Sequence, residues 1–249
     1  MYSIVIPSLG RIHYLIELLD SIKNQTIQPS EILILLDDNN HCKKLSKVLV
    51  RYKHVKLIFC KKMNLAQKRN YGASIASKDI LLFSDDDDIW KTQRAVSTLK
   101  ALVKYDVCCH NFDQFGYVNR RNVSRLGSQD IILSFPKLLK ATNIFGGGSS
   151  MACKKFIVNI FPFSEKLAYG EDFDWWIMLI LPKVKILYIG KSLVSYRSHA
   201  SNMTKRKAML FLFSLKISLN LLKSSCSHAL IALLIFLRSF FVFSFKLFL

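Results

Sequence analysis

The chain has 249 residues, 51% of them apolar, which is enough apolar surface to bury the core of one large domain. Its formal net charge of +19 is unevenly placed, because the last acidic residue is Asp174 and eleven lysines and arginines follow it. The C-terminal part is therefore predicted to meet a negative surface, either anionic lipid or nucleic acid.

Several kinds of site are excluded because their motifs are missing. The six cysteines form no C-x-x-C pair, which argues against a zinc site. No G-x-G-x-x-G follows the first predicted strand and no G-x-x-x-x-G-K-[ST] occurs, so neither a dinucleotide fold nor a Walker-type phosphate loop is indicated. Met1 leads straight into a strand pattern, and scattered cysteines without a signal peptide predict reduced thiols in a cytosolic compartment.

Strand-like and helix-like segments alternate along the first third of the chain. Short apolar runs predict strands, whereas apolar residues three and four positions apart predict amphipathic helices. The predicted strands cover residues 4–6, 31–36, 55–59 and 79–83, and the predicted helices cover residues 12–22, 45–52 and 64–77. These repeated units predict an α/β fold with a mostly parallel central sheet flanked on both faces by helices.

Polar residues come directly after three of the predicted strands. They are Pro7-Ser8, Asp37-Asp38 and the four aspartates from Asp85 to Asp88. Ligands of open α/β sheets bind beyond the carboxyl ends of the strands, so we expect these groups to share one rim. Taken singly, each group is better explained as turn residues or helix caps.

The stretch from Phe83 to Trp90 contains the four adjacent aspartates. Neighbouring carboxylates repel one another, so a bound cation is one explanation for the cluster, and oxygen ligands favour Mg²⁺ or Mn²⁺. The alternative is a solvated acidic turn that caps a helix beginning near Lys91. A glycine run, Gly146 to Gly148, is interpreted either as a close approach of backbone to ligand or as a flexible turn.

The order and spacing of six motifs resemble the family 2 glycosyltransferases, nucleotide-sugar-dependent enzymes with the GT-A fold. The resemblance extends from Tyr2 to about Thr204, which implies a GT-A domain over residues 1–204. The motifs are Ser3-Ile-Val-Ile-Pro-Ser8, Ile34-Leu-Leu-Asp-Asp38, Asn64-Leu-Ala-Gln-Lys-Arg-Asn70 with Gly72 and Ala76, Phe83-Ser-Asp-Asp-Asp-Asp-Ile-Trp90, Gly170-Glu-Asp-Phe-Asp174 and Tyr196-Arg-Ser-His199.

The resemblance implies a site for a nucleotide-sugar donor and for Mg²⁺ or Mn²⁺. In the family, the acid after the second strand holds the uracil or ribose, because a carboxylate accepts hydrogen bonds from base N–H groups and ribose hydroxyls. The D-x-D motif of the family, whose metal stabilises the departing diphosphate, corresponds to Asp85 and Asp87. The implied donor ligands are Pro7, Ser8, Asp37, Asp38, Arg69, Asp85 and Asp86, and the implied metal ligands are Asp87 and His199.

The Glu171-Asp172 pair matches the E-D motif of the family, whose aspartate is the catalytic base. Inverting transfer is a single displacement, so one carboxylate must take the proton of the acceptor hydroxyl. The resemblance implies this role for Asp172, and it implies that Glu171 and Trp175 position the acceptor or a loop. Helix capping is the alternative for both acids. Ile177 and Met178 replace an arginine that is frequent in the family, so a contact with acceptor or diphosphate is not predicted there.

The C-terminal tail, residues 205–249, lies outside the resemblance. Lys216, Asn220, Lys223 and Ser227 form one polar stripe on an otherwise apolar helix, which predicts a helix lying in a membrane interface. Residues 229–249 are long enough to span a bilayer, but a central Arg238 opposes insertion by about 2.5–3.5 kcal/mol. The sequence therefore favours an in-plane, monotopic tail over a spanning one, and a core or dimer helix is the alternative.

Together these features predict an inverting, metal-dependent glycosyltransferase on the cytoplasmic face of the cell membrane. Its expected partners are a nucleotide-sugar, a saccharide acceptor linked to lipid, and an anionic membrane surface. Two other classes explain part of the sequence: a non-catalytic module that binds a cation or sugar, and a basic nucleic-acid-binding protein. Nucleic acid is not the expected partner, because the basic residues of the tail are interleaved with leucine and phenylalanine.

Overall fold

The computed structural model describes residues 1–37, 49–124, 126–140, 147–167, 170–200, 202, 212, 215–219 and 231–237. Within them, the strands form one nine-stranded sheet. The strands are β1 (Ser3–Ser8), β2 (Glu31–Asp37), β3 (Val55–Cys60), β4 (Ile80–Phe83), β5 (Ile89–Trp90), β6 (Val107–Gly116), β7 (Ile131–Ile132), β8 (Ala152–Lys154) and β9 (Ile186–Ser198). The helices are α1 (Ile12–Lys23), α2 (Leu65–Ile75), α3 (Arg94–Lys104), α4 (Phe135–Lys140), α5 (Lys155–Ile160) and α6 (Glu171–Ile180), with a 3₁₀ turn at Gly147–Ser150.

The first four strands are parallel and are ordered β3-β2-β1-β4. Both β1 and β2 are almost wholly buried, which explains their continuous apolar runs, because a strand covered on both faces has no solvent side. Because these strands are parallel, their carboxyl ends meet at one edge of the sheet. This part of the sheet confirms the predicted parallel α/β arrangement.

The other half of the sheet is mixed. Strand β8 lies between β4 and β6 and is antiparallel to both, whereas β6 and β9 run parallel over a long ladder. Strand β5 is antiparallel to β9. The α/β fold with flanking helices is thus confirmed. The antiparallel β8 and the two-residue β5 were not predicted, because strands this short leave no periodic signal.

Two hydrophobic clusters pack on the two faces of the sheet, and successive residues of β1 supply them alternately. Ile4 and Ile6 belong to one cluster and Val5 to the other, as the alternation of side chains along a strand requires. Helix α2 packs tightly on the Val5 side, where a Cβ atom added to Gly72 would lie 2.4 Å from Val5 Cγ1. The missing side chain therefore lets the backbone of α2 approach β1 closely.

The N-terminus of α2 lies at the rim where the parallel strands end. Asn64 and Gln67 form a reciprocal capping box, in which each side chain accepts a hydrogen bond from the other residue's backbone N–H at 2.9 Å. Helix α2 ends at Ile75, two residues earlier than predicted. Because the cap fixes the first turn, the basic residues that follow, Lys68 and Arg69, are held at the edge of the sheet.

Two predicted helices need comment. Most of the helix expected over residues 45–52 lies outside the described residues. The helix expected near Lys91 is α3, which begins at Arg94 with Gln93 as its N-cap. Strand β5 intervenes between the acidic stretch and this helix, so the aspartates do not cap it.

Two described segments of the tail are helical, at residues 215–219 and 231–237. Ile217 and Ile235 are fully buried in the same cluster as Val5, and Lys216 Nζ donates a hydrogen bond to the backbone oxygen of Lys166 at 3.1 Å. These segments therefore pack on the domain that contains the sheet. In the described part of the chain, no helix has the length and apolarity needed to cross a membrane.

Candidate functional site

The carboxyl ends of β2, β1 and β4 lie side by side, and polar side chains connect them. Ser8 Oγ donates a hydrogen bond to Asp86 Oδ2 at 2.7 Å. The buried Lys68 Nζ donates to the backbone oxygen of Ser8 at 3.0 Å and lies 3.1 Å from Asp37 Oδ2. The three groups of residues that the sequence places after strands are thus brought together at one rim.

The described residues at the end of β2 leave one carboxylate within reach of a ligand. Asp37 keeps 34% of its side chain exposed, while its Oδ1 accepts a hydrogen bond from the Met63 backbone N–H at 3.4 Å. Pro7 is buried in β1 opposite Leu35, and Asp38 lies outside the described residues. The predicted donor role of all three remains a prediction.

Arg11, at the start of α1, pairs with the two central carboxylates of the acidic stretch. Its Nη2 lies 2.5 Å from Asp86 Oδ1 and 2.8 Å from Asp87 Oδ2. Asp86 also accepts hydrogen bonds from Ser8 Oγ and, at 2.9 Å, from the backbone N–H of Leu9. Although burial opposes the charge of Arg11, the two carboxylates raise the pKa of the guanidinium, so it remains protonated.

His199, predicted as a metal ligand, lies directly against Asp87. Its Nε2 is 2.9 Å from Asp87 Oδ2 and 3.0 Å from Arg11 Nη1. The side chain of Asn202 fixes the same loop, since its Oδ1 accepts a hydrogen bond from the His199 backbone N–H at 2.5 Å. The structure thus brings the two predicted metal ligands together, with Arg11 between Asp86 and His199.

Arg69 connects the acidic stretch to the start of α6. Its Nη2 donates to Asp85 Oδ1 at 3.0 Å, and its Nη1 donates to Glu171 Oε1 at 2.5 Å. The guanidinium is almost wholly buried, and although burial opposes its charge, Glu171 and Asp85 raise the pKa of Arg69. It therefore neutralises one carboxylate of each predicted motif, which the sequence did not indicate.

Gly147 and Gly148, the two described residues of the glycine run, belong to the 3₁₀ turn that packs against Asp85. The backbone N–H of Gly148 donates to Asp85 Oδ2 at 3.1 Å, and Ser149 Oγ accepts a hydrogen bond from the Asp85 backbone N–H at 2.8 Å. A Cβ atom on Gly148 would lie 2.5 Å from Arg69 Nη2 and 2.8 Å from Asp85 Oδ1, so a larger residue here would displace this ion pair. The run therefore holds the acidic stretch in place, a function that neither interpretation of the sequence included.

Asp88 differs from the other three aspartates because it is fully buried and forms no ion pair among the described residues. Its Oδ1 accepts a hydrogen bond from the Arg197 backbone N–H at 2.9 Å, whereas its Oδ2 has no hydrogen-bond partner. Burial and the charge of Asp87 raise the pKa of Asp88 well above its ordinary value, which favours the neutral acid. Asp88 is thus part of the framework of the site.

Asp172 is a half-buried carboxyl group in the first turn of α6. Its Oδ1 accepts a hydrogen bond from the Phe173 backbone N–H at 2.8 Å. Burial and the adjacent Glu171 raise the pKa of Asp172 to about 6. The N-cap of the helix is Gly170, so neither acid of the pair is the cap, and a carboxyl group with this pKa is suited to accept a proton near neutral pH.

Trp175 lies in the hydrophobic core. It is 0% exposed, its ring stacks on Phe163 with centroids 4.6 Å apart, and its Nε1 donates to the backbone oxygen of Phe161 at 2.7 Å. Trp176 is also buried. A fully buried indole fixes α6 to the segment that precedes it, which fits the prediction that Trp175 positions a loop, while its role in positioning an acceptor stays a prediction.

Sequence reasoning missed Arg11, and it gave Lys68 too little weight. Arg11 stands four residues after Pro7 in the loop between β1 and α1, so its position close to a strand end was the available signal. Lys68 sits in the motif that contains Arg69, but a lysine on a helix is usually solvated. Neither pairing was predictable without knowledge of which carboxylates the fold brings near them.

The family model for glycosyl transferase family 2 matches residues 3–166, about two thirds of the chain. The chain belongs to this family. The match contains the strand ends, the acidic stretch and α2, which are the elements that build the rim. The family assignment and the fold predicted from the sequence are thus confirmed.

Known glycosyltransferases resemble the chain over different lengths. It is 22% identical over 211 residues to the Escherichia coli UDP-Glc:alpha-D-GlcNAc-diphosphoundecaprenol beta-1,3-glucosyltransferase WfgD, covering 83% of this chain and 81% of WfgD. It is 30% identical over 109 residues to the amylovoran biosynthesis glycosyltransferase AmsB of Erwinia amylovora, covering 41% of this chain and 36% of AmsB. Among solved structures, S. aureus TarS 1-349 in complex with UDP-GlcNAc superposes with a TM-score of 0.74 at 15% identity, covering 97% of this chain and 73% of TarS 1-349. This last similarity shows the fold.

Enzymes of this family generally use a divalent cation. The site of this family 2 chain has suitable donors, because Mn²⁺ accepts both carboxylate and imidazole ligands and Mg²⁺ prefers carboxylates. The guanidinium of Arg11 already places positive charge against Asp86 and Asp87, which shows that the position accommodates a cation. Among the described residues, no three Asp, Glu, His or Cys side chains are gathered into a ligand set in this arrangement. Asp87 and His199 are the residues that would hold the ion.

We expect Asp172→Asn to reduce the transfer rate at saturating donor by about 10²–10⁴-fold, because the amide cannot take the acceptor proton. Donor affinity should stay close to that of the unmodified protein. In the unmodified protein the rate should fall as the pH drops below about 6, since Asp172 is then protonated. Steady-state kinetics between pH 5 and pH 8, with donor affinity measured by calorimetry, provide the check.

Asp174→Asn is the matched control. Burial and Glu171 raise the pKa of Asp174 to about 6 as well, but two residues of helix turn its side chain by about 200° from that of Asp172. This variant should retain the rate and its decline at low pH. If Asp174→Asn removes that decline, or if Asp172→Asn loses donor binding while keeping its rate, Asp172 is not the base.

Proposed function

We propose that this chain is an inverting, metal-dependent glycosyltransferase. It transfers a sugar from a UDP-sugar to a lipid-linked saccharide in the synthesis of a surface polysaccharide, O-antigen or capsule. The observation that carries the proposal is the joining of two motifs through one residue: Arg69 holds Asp85 of the D-x-D stretch and Glu171 of the E-D pair at the same rim. The donor and the catalytic base can then lie on either side of the anomeric carbon of one bound sugar.

The residues of the rim divide the expected reaction among them. Asp37, at the end of β2, is placed to accept hydrogen bonds from the nucleoside. Asp172 takes the proton of the acceptor hydroxyl while its oxygen attacks the anomeric carbon, and the nucleoside diphosphate leaves from the opposite side. Asp87 and His199 would hold a divalent cation, which would supply positive charge to stabilise the departing diphosphate.

The relatives support the choice of substrates. WfgD is named for UDP-Glc and for a GlcNAc joined to diphosphoundecaprenol, and TarS was solved with UDP-GlcNAc. AmsB is named for the biosynthesis of a polysaccharide. A UDP-sugar donor and a saccharide on a lipid diphosphate are therefore the substrates proposed for this chain.

The proposal predicts that Asp87→Ala abolishes transfer while the protein stays folded. The variant loses the carboxylate nearest to His199, so a divalent cation has one charged ligand fewer. The measurement is release of UDP from UDP-glucose and UDP-GlcNAc with a GlcNAc-diphospholipid acceptor, with Mn²⁺ and with chelator. We expect turnover in Mn²⁺ but not in chelator. In the variant, the rate of UDP release in Mn²⁺ should be at least about 10²-fold lower.

Asp106→Ala is the control for this substitution, because Asp106 forms a half-exposed ion pair with Lys154 away from the rim. It should leave transfer unchanged. Turnover that persists in chelator contradicts the metal requirement. Binding of UDP-sugars without any release of UDP or transfer of sugar would instead indicate a non-catalytic binding module.

We also propose that the chain works at the cytoplasmic face of the cell membrane, bound to anionic lipid. In the helical segment 231–237, Ala232 and Ile235 are buried against the domain, while Leu233, Leu234 and Leu237 are exposed. A helix with one apolar side packed and another apolar side exposed needs a second apolar surface. The eleven cations that follow the last acidic residue favour an anionic leaflet as that surface.

The double variant Leu233→Gln, Leu237→Gln should bind phosphatidylglycerol vesicles at least about tenfold more weakly, because two exposed leucines no longer enter the lipid. Val103→Gln is the control, since Val103 is 85% exposed on α3. Vesicle flotation measures both. Unchanged flotation of the double variant, or equal loss in the control, contradicts this location, and preferential binding to duplex DNA would favour a nucleic-acid partner. Deleting residues 205–249 is less informative, because Ile217 and Ile235 belong to the core.

A further inference from the structure

Arg11 lies at the rim but belongs neither to the D-x-D stretch nor to the E-D pair. Its Nη2 contacts Asp86 Oδ1 and Asp87 Oδ2 at 2.5 and 2.8 Å, so one guanidinium neutralises two adjacent carboxylates. The same side chain lies 3.0 Å from His199 Nε2. Arg11 therefore contacts both residues that would hold a divalent cation.

These contacts leave Arg11 imperfectly satisfied. Its Nε is buried and has no hydrogen-bond partner among the residues that the structure describes, which costs free energy that a solvated arginine does not lose. His199 Nε2 lies within hydrogen-bond distance of both Arg11, a donor, and Asp87, an acceptor. One ring nitrogen cannot accept from the first and donate to the second at the same time, so one of these two contacts is always unsatisfied.

The position of Arg11 also allows its side chain to move away from Asp86 and Asp87. It lies at the N-cap of α1, its side chain is 26% exposed, and its Cζ is 5.8 Å from the centroid of the Tyr14 ring. Asp86 would keep its hydrogen bonds from Ser8 Oγ and from the Leu9 backbone N–H after Arg11 moved away. The acidic stretch would therefore retain its shape and expose Asp87 to another cation.

We propose that Arg11 is an internal counterion that competes with the divalent cation for Asp86 and Asp87. When no metal is bound, Arg11 neutralises the two carboxylates and keeps the stretch folded. When Mg²⁺ or Mn²⁺ binds, it displaces the guanidinium. The affinity for metal is therefore set by the difference between the free energies with which the divalent cation and the guanidinium bind the two carboxylates. The inference rests on the metal requirement in the proposed function.

Arg11→Gln tests the competition without any assay of activity. Mn²⁺ alone is titrated into the full chain, and bound ion is followed by electron paramagnetic resonance and calorimetry. Because the variant no longer has to displace a charged hydrogen-bond donor, we expect it to bind Mn²⁺ about tenfold or more tightly than the unmodified protein. In chelator its thermal midpoint should be lower, since Asp86 and Asp87 then repel each other, and Mn²⁺ should restore most of the loss.

Lys56→Gln is the matched control, because it also removes a cation from a buried carboxylate, that of Glu31, at a distance from the rim. Its midpoint should fall without recovery in Mn²⁺, and its Mn²⁺ affinity should not change. Arg11→Lys provides a second variant that keeps the charge but not the two-carboxylate contact, and its Mn²⁺ affinity should be intermediate.

The outcomes separate this inference from the proposed function. Equal or weaker Mn²⁺ binding by Arg11→Gln, with measurable binding by the unmodified protein, overturns the competition and leaves the metal requirement intact. Absence of Mn²⁺ binding in both proteins overturns the competition and the metal requirement together. If Arg11→Gln does not fold in chelator but folds in Mn²⁺, the competition is supported directly.

Discussion

The close packing of Asp85, Asp86, Asp87 and Asp88 at the end of β4 is the constraint on which the rest of the site depends. Two like charges about 4 Å apart repel by about 4 kcal/mol at an effective dielectric constant near 20, so adjacent carboxylates need compensating charge. The fold offsets this repulsion with arginines from distant parts of the chain. Arg11 pairs with Asp86 and Asp87, and Arg69 pairs with Asp85. Burial favours the neutral form of the fourth acid.

Because the compensating charges lie at the N-cap of α1 and in α2, the acidic stretch depends on where these two helices are placed. The start of α2 is fixed by its capping box and by the close approach of Gly72 to β1, and this places Arg69 between Asp85 and Glu171. The burial of Trp175 then fixes the first turn of α6. The proposed donor site and the proposed base, Asp172, are thus held by one connected set of buried contacts, which limits their relative movement.

The sequence predicted the parallel half of the sheet and the polar rim because both depend on local patterns. Continuous apolar runs predicted β1, β2 and β4, and the residues that follow each strand predicted which side chains meet. The partners of Arg11 and Arg69 were not predicted, because they depend on where separate helices approach the rim. The same limit explains Trp175: its residue type suits a sugar-binding surface and a core equally, and only its packing on Phe163 decides.

The antiparallel strands are a second feature that local sequence patterns could not predict. Strand β8 has three residues and β5 has two, so hydrophobic periodicity cannot identify them. Their positions follow from pairing with β4 and β9, which are far away in sequence. The longer strands β6 and β9 were not predicted either, so this half of the sheet had to be taken from the structure, including the end of β9, which leads into His199.

A crystal structure with UDP and Mn²⁺ tests the central claim most directly, namely that the carboxylates at the ends of β2 and β4 form the donor site. We predict the nucleoside beside Asp37, the diphosphate next to Asp85 and Asp87, and Arg11 withdrawn from Asp87. A concave surface of about 450 Å³ provides the contrast, lined by Lys91, Asp113, Arg121, Asn122, Lys191 and Ser192. UDP bound in that basic cavity, with Arg11 still paired to Asp86 and Asp87, would contradict the account.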